Sequence, residues 1–168
     1  MKKLLLLSAF ALFGGALQAQ EGFKLGAHIG APVGDAADFA SVTLGVDASY
    51  MWNITKGLDV GIATGYSHFF GKDRWEDFGF IPLAASGKYR FNGLPLFVGL
   101  DLGGAISTKD GIDSGLYVYP KVGFQLPKAE LYLGYQNIGS ERGDWERRDR
   151  RIDSNFGAIN LGVNFFLK

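Results

Sequence analysis

From residue 23 onward the chain alternates, residue by residue, between apolar side chains and side chains that are polar or very small. Val42, Leu44, Val46, Ala48, Tyr50 and Trp52 interleave with Thr43, Gly45, Asp47, Ser49 and Met51. Successive side chains of a strand point to opposite faces, so a period of two makes one face apolar and the other polar. Seven more segments follow the same rule, with apolar series running from Phe23 to Ile29, Leu58 to Tyr66, Ile81 to Phe91, Leu96 to Leu102, Leu116 to Leu126, Leu131 to Tyr135 and Ile159 to Leu167. The charges sharpen the pattern. Lys24, Asp47, Asp59, Lys88, Arg90, Asp101 and Lys121 all fall on the polar face, and the apolar face carries none. A charge on the lipid face at mid-bilayer costs roughly 2–4 kcal/mol, so a lipid-facing surface would exclude it in this way.

The connections alternate as well. Short turns are expected at 53–57, at 92–95 with its Asn92-Gly93 pair, and at 127–129. Longer polar loops are expected near 31–41, 69–80, 107–115 and 138–154. A hairpin needs only a few residues, so the long loops are additions at one end. Together these features predict an all-β fold: an eight-stranded antiparallel up-and-down transmembrane β-barrel. A soluble ligand-carrying barrel also has eight strands, but it turns its apolar face inward. Here the polar face is rich in Gly, Ala and Ser and carries charges of both signs, which suits a narrow, filled lumen. Tyr50, Trp52, Tyr89, Phe91 and Phe165 near the short turns, and Tyr66 and Tyr135 at the other end, suit the lipid–water boundary. Pro82 and Pro120 cannot donate to a ladder, so the outer parts of strands four and six are expected to be irregular.

Residues 1–19 have the layout of a secretory signal peptide. Lys2 and Lys3 precede an apolar run from Leu4 to Phe13, then Gly14-Gly15, and a small-residue cleavage site after Ala19. The barrel domain is then 20–168. The formal net charge is zero, with 17 basic and 17 acidic residues, which argues against a nucleic-acid partner. The absence of cysteine excludes disulfides, thiolate metal sites, a Cys nucleophile and a lipid-anchored Cys. Gly99-Leu100-Asp101-Leu102-Gly103-Gly104 lacks the following helix and Lys-Ser/Thr of a phosphate loop. No cofactor or metal is expected.

With strands and ends in place, the chain resembles the small eight-stranded outer-membrane barrels of Gram-negative bacteria, similar to outer membrane protein X and the barrel domain of outer membrane protein A. The most specific match is the last strand. Asn160, Gly162, Phe165 and Leu167 resemble that family's C-terminal assembly signal, although the chain ends Leu167-Lys168 where an aromatic terminus is common. The resemblance implies an outer-membrane location, delivery by periplasmic chaperones to the barrel-assembly machinery, and contact with outer-membrane lipids and lipopolysaccharide. It does not set the task, because this fold hosts structural proteins, pores, adhesins and lipid-modifying enzymes.

Two groups of residues are candidates for function. The first is the lumen charge network of Lys24, Asp47, Asp59, Lys88, Arg90, Asp101 and Lys121. These residues either plug the barrel with ion pairs or line a narrow porin-like channel. The second is in the loops. Residues 140–153 hold five Arg and five acids around Trp145, and Trp75 has similar charged neighbours. Trp75, Arg142, Asp144, Trp145, Arg147 and Arg148 are candidate contacts for a host or surface ligand, or for lipopolysaccharide phosphates. Arg142-Gly143-Asp144 is also an integrin-type tripeptide. The histidines are His28, expected as a hydrogen-bonded lumen filler, and His68, expected at the outer boundary. Alternation sends Ser67 and His68 to opposite faces, so they do not form a Ser–His pair. The expected function is therefore a non-enzymatic structural or surface-interaction role for a monomer that presents four loops. A channel is the alternative, and a lipid-modifying enzyme comes third.

Overall fold

The computed structural model describes residues 22–72, 76–109, 114–141 and 153–167. Eight strands run in order: β1 (Phe23–Val33), β2 (Ala40–Thr55), β3 (Leu58–Gly71), β4 (Phe78–Arg90), β5 (Leu96–Ser107), β6 (Gly115–Gln125), β7 (Ala129–Glu141) and β8 (Asp153–Leu167). Among the described residues a single short helix, α1 (Ala36–Phe39), links β1 to β2. Each strand pairs antiparallel with its neighbour, and β1 also pairs with β8 from Phe23↔Leu167 to Val33↔Gly157. The sheet is thus a closed barrel with no free edge. Closure satisfies the backbone donors and acceptors that lipid cannot.

The orientation of the faces separates the two barrel types. Leu44, Leu100 and Leu133 are 50%, 46% and 50% exposed on the outside, whereas Lys88 and Asp101 are 6% and 3% exposed inside. The apolar face points outward and the charges point inward, the opposite of a soluble ligand carrier. Trp52, Tyr89, Phe91 and Phe165 are exposed near the short-turn end, and Tyr135 is exposed toward the long-loop end. Tyr50 meets Trp52 edge-on at 4.7 Å, and Tyr89 meets Phe91 at 5.3 Å, forming paired rings along the outward face.

Several expected boundaries move. The strands run further into the long loops than anticipated: β3 continues to Gly71, β4 begins at Phe78, and β2 begins at Ala40. The first short turn shrinks to Lys56-Gly57, because β2 continues through Asn53 to Thr55 with a register shift there. Gly57 has φ +96°, a backbone conformation that glycine accommodates best. The irregularity expected at the prolines is confined to one ladder each. Beside Pro82 the β3–β4 ladder passes from Thr64↔Leu83 to Ser67↔Phe80, and beside Pro120 the β6–β7 ladder passes from Val118↔Asn137 to Lys121↔Gly134. Register is kept across both gaps. The opposite sides of both prolines remain paired, as Pro82↔Ala105 and Leu100↔Pro120. A missing donor interrupts one ladder locally, and the other seam holds the strand in place. The Thr64 hydroxyl donates to the Pro82 carbonyl at 2.7 Å.

Candidate functional site

The inward-facing residues fill the barrel in layers. At the long-loop end the filling is aromatic. Phe69 stacks on Phe78 at 5.0 Å, Phe80 meets both edge-on at 5.9 and 6.0 Å, and Phe156 packs on Phe78 and Phe80 at 5.4 and 5.5 Å. Ile138, Tyr117 and small residues of α1 and the neighbouring strands join this cluster. It removes water from the outer end of the bore by ordinary hydrophobic packing.

Below it lies a polar layer built from five strands. Thr43 Oγ1 donates to Asn160 Oδ1 at 2.9 Å, and Asn160 Nδ2 donates to Gln136 Oε1 at 3.0 Å. Gln136 Nε2 reaches Ser67 Oγ at 3.2 Å, and Ser67 Oγ lies 3.2 Å from His28 Nε2. His28 Nδ1 lies 2.8 Å from Asp47 Oδ2, which also accepts from Tyr132 Oη at 2.8 Å. An ionised carboxylate only accepts, so His28 Nδ1 carries the hydrogen and Nε2 of the neutral ring accepts from Ser67. All donors of this chain then point one way and converge on Asp47. Glycines make the room. A Cβ on Gly45 would collide with the His28 ring, and one on Gly162 would collide with the Tyr132 ring.

Ions fill the rest of the lumen toward the short turns, in two clusters. In the first, Lys121 Nζ meets Asp101 Oδ2 at 2.6 Å, Ser86 Oγ donates to Asp101 Oδ1 at 2.6 Å, and Asp47 lies alongside. The Lys121 ammonium also sits 4.3 Å from the Tyr119 ring centre and 5.2 Å from that of Tyr132. In the second, Glu130 bridges Lys24 at 2.8 Å and Lys88 at 2.5 Å. Asp59 takes Lys88 at 3.2 Å, Arg90 at 2.8 Å and the Asn53 amide at 2.7 Å. Phe166 lies 5.3 Å from Lys24 Nζ and 5.9 Å from Lys88 Nζ, and Phe97 lies 5.6 Å from Lys88 Nζ. A cavity of about 40 Å³ separates the two clusters and is lined by members of both. That is room for a few waters, which its polar walls would hold.

All seven charges singled out in the sequence stand in these two clusters. Glu130, Ser67, Gln136, Thr43 and Tyr132 were not singled out there. Glu130 lay just beyond the assumed start of strand seven, and extending the alternation one residue back from Leu131 would have turned it inward. Asn160 and Gly162 of the terminal motif have packing roles in the polar layer, while Phe165 faces outward. Ser67, His28 and Asp47 come together in the order of a nucleophile–base–acid triad. The Ser67 hydroxyl is enclosed in the polar layer, however, and the cavity touches Asp47 but neither Ser67 nor His28.

Outside the lumen, His68 faces outward near the long-loop rim. Its Nδ1 lies 2.9 Å from Tyr66 Oη and its Nε2 lies 3.3 Å from Asp77 Oδ2. The Gly71 N–H donates to Asp77 Oδ1 at 2.9 Å. That N–H, followed by His68, holds the Asp77 carboxyl below its ordinary range. Lys109 pairs with Glu76 at 2.7 Å and lowers its carboxyl likewise. The loop candidates Trp75, Arg142, Asp144, Trp145, Arg147 and Arg148 lie outside the described residues, as does the segment 1–19. Among the described residues no cluster of His, Cys, Asp or Glu could hold a metal ion.

No family model and no curated protein matches the chain. Solved structures do. Ail, the attachment invasion locus protein of Yersinia pestis, superposes with a TM-score of 0.52 at 14% identity, covering 88% of this chain and 99% of that one. A de novo designed transmembrane β-barrel gives 0.51 at 11% identity, covering 89% and 98%. The N-terminal β-barrel domain of Pseudomonas aeruginosa OprF gives 0.50 at 14% identity, covering 89% and 99%. The fold is that of a small eight-stranded transmembrane β-barrel of the outer-membrane type.

Proposed function

We propose that the chain is exported by a cleaved signal peptide at residues 1–19. In the outer membrane of a Gram-negative bacterium it serves as a non-enzymatic, non-conducting barrel whose long loops make a surface contact. The observation that carries this reading is the filled lumen. An aromatic cluster at one end, a hydrogen-bonded layer in the middle and two ion clusters below leave a cavity of about 40 Å³. A solute path would have to break buried ion pairs, and stranding one partner of such a pair costs roughly 3–5 kcal/mol. This weighs against a porin-like channel. The enclosure of Ser67 weighs against an acyl-transfer enzyme in the lumen.

The barrel then acts as an anchor, and the task belongs to the loops. Trp75, Arg142, Asp144, Trp145, Arg147 and Arg148 combine an aromatic anchor type with phosphate-binding guanidinium groups. Their partner is a surface ligand or lipopolysaccharide. The Yersinia pestis barrel is by name an attachment protein, which makes attachment the first role to assay. Assembly uses periplasmic chaperones and the barrel-assembly machinery, with Asn160, Gly162, Phe165 and Leu167 as the signal, and the product is a monomer. Two measurements test the reading. Planar bilayers containing the purified protein should show no unitary openings, and steady openings would establish the channel instead. Cells carrying Trp145→Ala with Arg142→Ala should lose surface binding that the parent shows. Unchanged binding, with equal surface expression, would remove the loop contact.

A further inference from the structure

His28 is one of the chain's two histidines, and it is 3% exposed in the middle of the barrel. Histidine is the side chain whose ordinary titration falls between about pH 5 and pH 8. A buried imidazole with one fixed acceptor and one fixed donor would resist a proton, because its new N–H would face a donor. The surroundings of His28 avoid this conflict. Ser67 Oγ lies 3.2 Å from His28 Nε2 and also 3.3 Å from Gln136 Oε1. Its hydroxyl hydrogen therefore has two acceptors, one on each side. With a neutral ring, Ser67 donates to His28 and accepts from Gln136 Nε2. With a protonated ring, Nε2–H donates to Ser67 Oγ, and Ser67 turns to donate to Gln136 Oε1. Gln136 Oε1 already accepts from Asn160 and has a second lone pair for the turned hydroxyl.

The charges divide unevenly between the two clusters. The cluster beside the short turns has three cations, Lys24, Lys88 and Arg90, against two carboxylates, Asp59 and Glu130. The cluster nearer His28 has one cation, Lys121, against two carboxylates, Asp47 and Asp101. One proton on His28 would neutralise the second cluster. The titratable groups around His28 are Asp47 from β2, Tyr119 and Lys121 from β6, Tyr132 from β7, and Asp101 from β5 through Lys121.

We propose that His28 is a built binding site for a single proton, and that reversal of the Ser67 hydroxyl between His28 and Gln136 lets the lumen accept that proton without stranding a hydrogen bond. The proton comes from solvent. The Ser67 O–H to Nε2 bond breaks, and two form: Nε2–H to Ser67 Oγ, and Ser67 O–H to Gln136 Oε1. No other covalent bond changes. The site makes the interior of an otherwise charge-balanced barrel responsive to acid.

The test uses the His68→Gln chain, in which His28 is the sole histidine, extracted from outer membranes with its histidine ¹⁵N-labelled. At about pH 8 the ring nitrogens should show Nδ1 protonated and Nε2 bare, and toward about pH 5 both should become protonated while the amide spectrum stays that of the folded barrel. Adding Ser67→Ala removes a charge-assisted bond from the protonated ring and only a neutral bond from the free base. It should lower the midpoint by about one pH unit, with Ser67→Thr restoring it. An Nε2–H tautomer at the alkaline end, a ring that stays neutral throughout in a folded barrel, or a Ser67→Ala midpoint equal to the parent's would each overturn the proposal. The tautomer reading needs no lumen substitution, so it decides even if Ser67→Ala fails to fold.

Discussion

Glu130 joins two buried cations of the lumen, so a single change there perturbs both. It is 2% exposed and takes the ammonium groups of both Lys24 and Lys88. Glu130→Gln keeps the shape and one acceptor but removes the charge. Lys88 retains Asp59 at 3.2 Å, whereas Lys24 has no second carboxylate within ion-pair distance among the described residues. The substitution thus strands one buried ammonium fully and weakens the setting of another. Removing one partner of a buried pair costs roughly 3–5 kcal/mol, and the remaining amide acceptor trims this toward about 3 kcal/mol. The assay is reversible urea unfolding in phospholipid vesicles, followed by tryptophan fluorescence with the cooperativity checked. Lys24→Met in the same chain removes the stranded charge, so the double variant should regain about 2 kcal/mol relative to Glu130→Gln, a coupling that independent sites would not show. Glu76→Gln, at the exposed Glu76–Lys109 pair, serves as the control and should leave the midpoint unmoved. A Glu130→Gln barrel as stable as the parent would refute the buried ion cluster as a structural element.

Leu100→Arg puts a charge on the outward face. It should cost roughly 2–4 kcal/mol in vesicles and cut the folded fraction seen by heat-modifiable gel migration, and a neutral result would undo the inside-out assignment. Gly162→Val drives a side chain into the Tyr132 ring. It should destabilise by roughly 1–3 kcal/mol, and adding Tyr132→Phe, which keeps the obstructing ring, should not relieve the loss. Asp77 has its carboxyl held below the ordinary range, so its bond to the Gly71 N–H is fully present above the unfolded value of about 4 and is lost as pH falls through the lower folded value. The Gly71 amide shift should therefore show an acid transition centred below about pH 4, and a transition absent from that range in a folded barrel would refute the Asp77 contact.

The barrel could be read from the sequence because a closed sheet between lipid and a narrow lumen imposes the same two-residue rule on every strand. Leu44, Leu100 and Leu133 could not face anything but lipid once Asp47, Asp101 and Lys121 were turned inward. The rule weakens where the lumen itself becomes apolar. Phe69, Phe78 and Phe80 look like loop residues in the sequence because their inward side is aromatic, so the alternation of hydrophobicity disappears just where the outer plug begins. The prolines disturb the strands less widely than the sequence suggests. A missing donor is a property of one seam, and the register of β4 and β6 is held by the other seam.

The polar layer was out of reach for a different reason. Ser67, His28, Asp47, Gln136 and Asn160 come from β3, β1, β2, β7 and β8, so no spacing along the chain brings them together. What joins them is the stagger of the closed sheet, which sets His28 beside Gly45 and Gly162 and leaves the ring space to reach across the bore. Local alternation specifies which side chains enter the lumen, and closure specifies which of them meet. A barrel this narrow turns that second specification into chemistry. The lumen charges and the Gln136 and Asn160 amides each meet a side chain from another strand, so the groups that fill the space also determine what the interior binds or excludes.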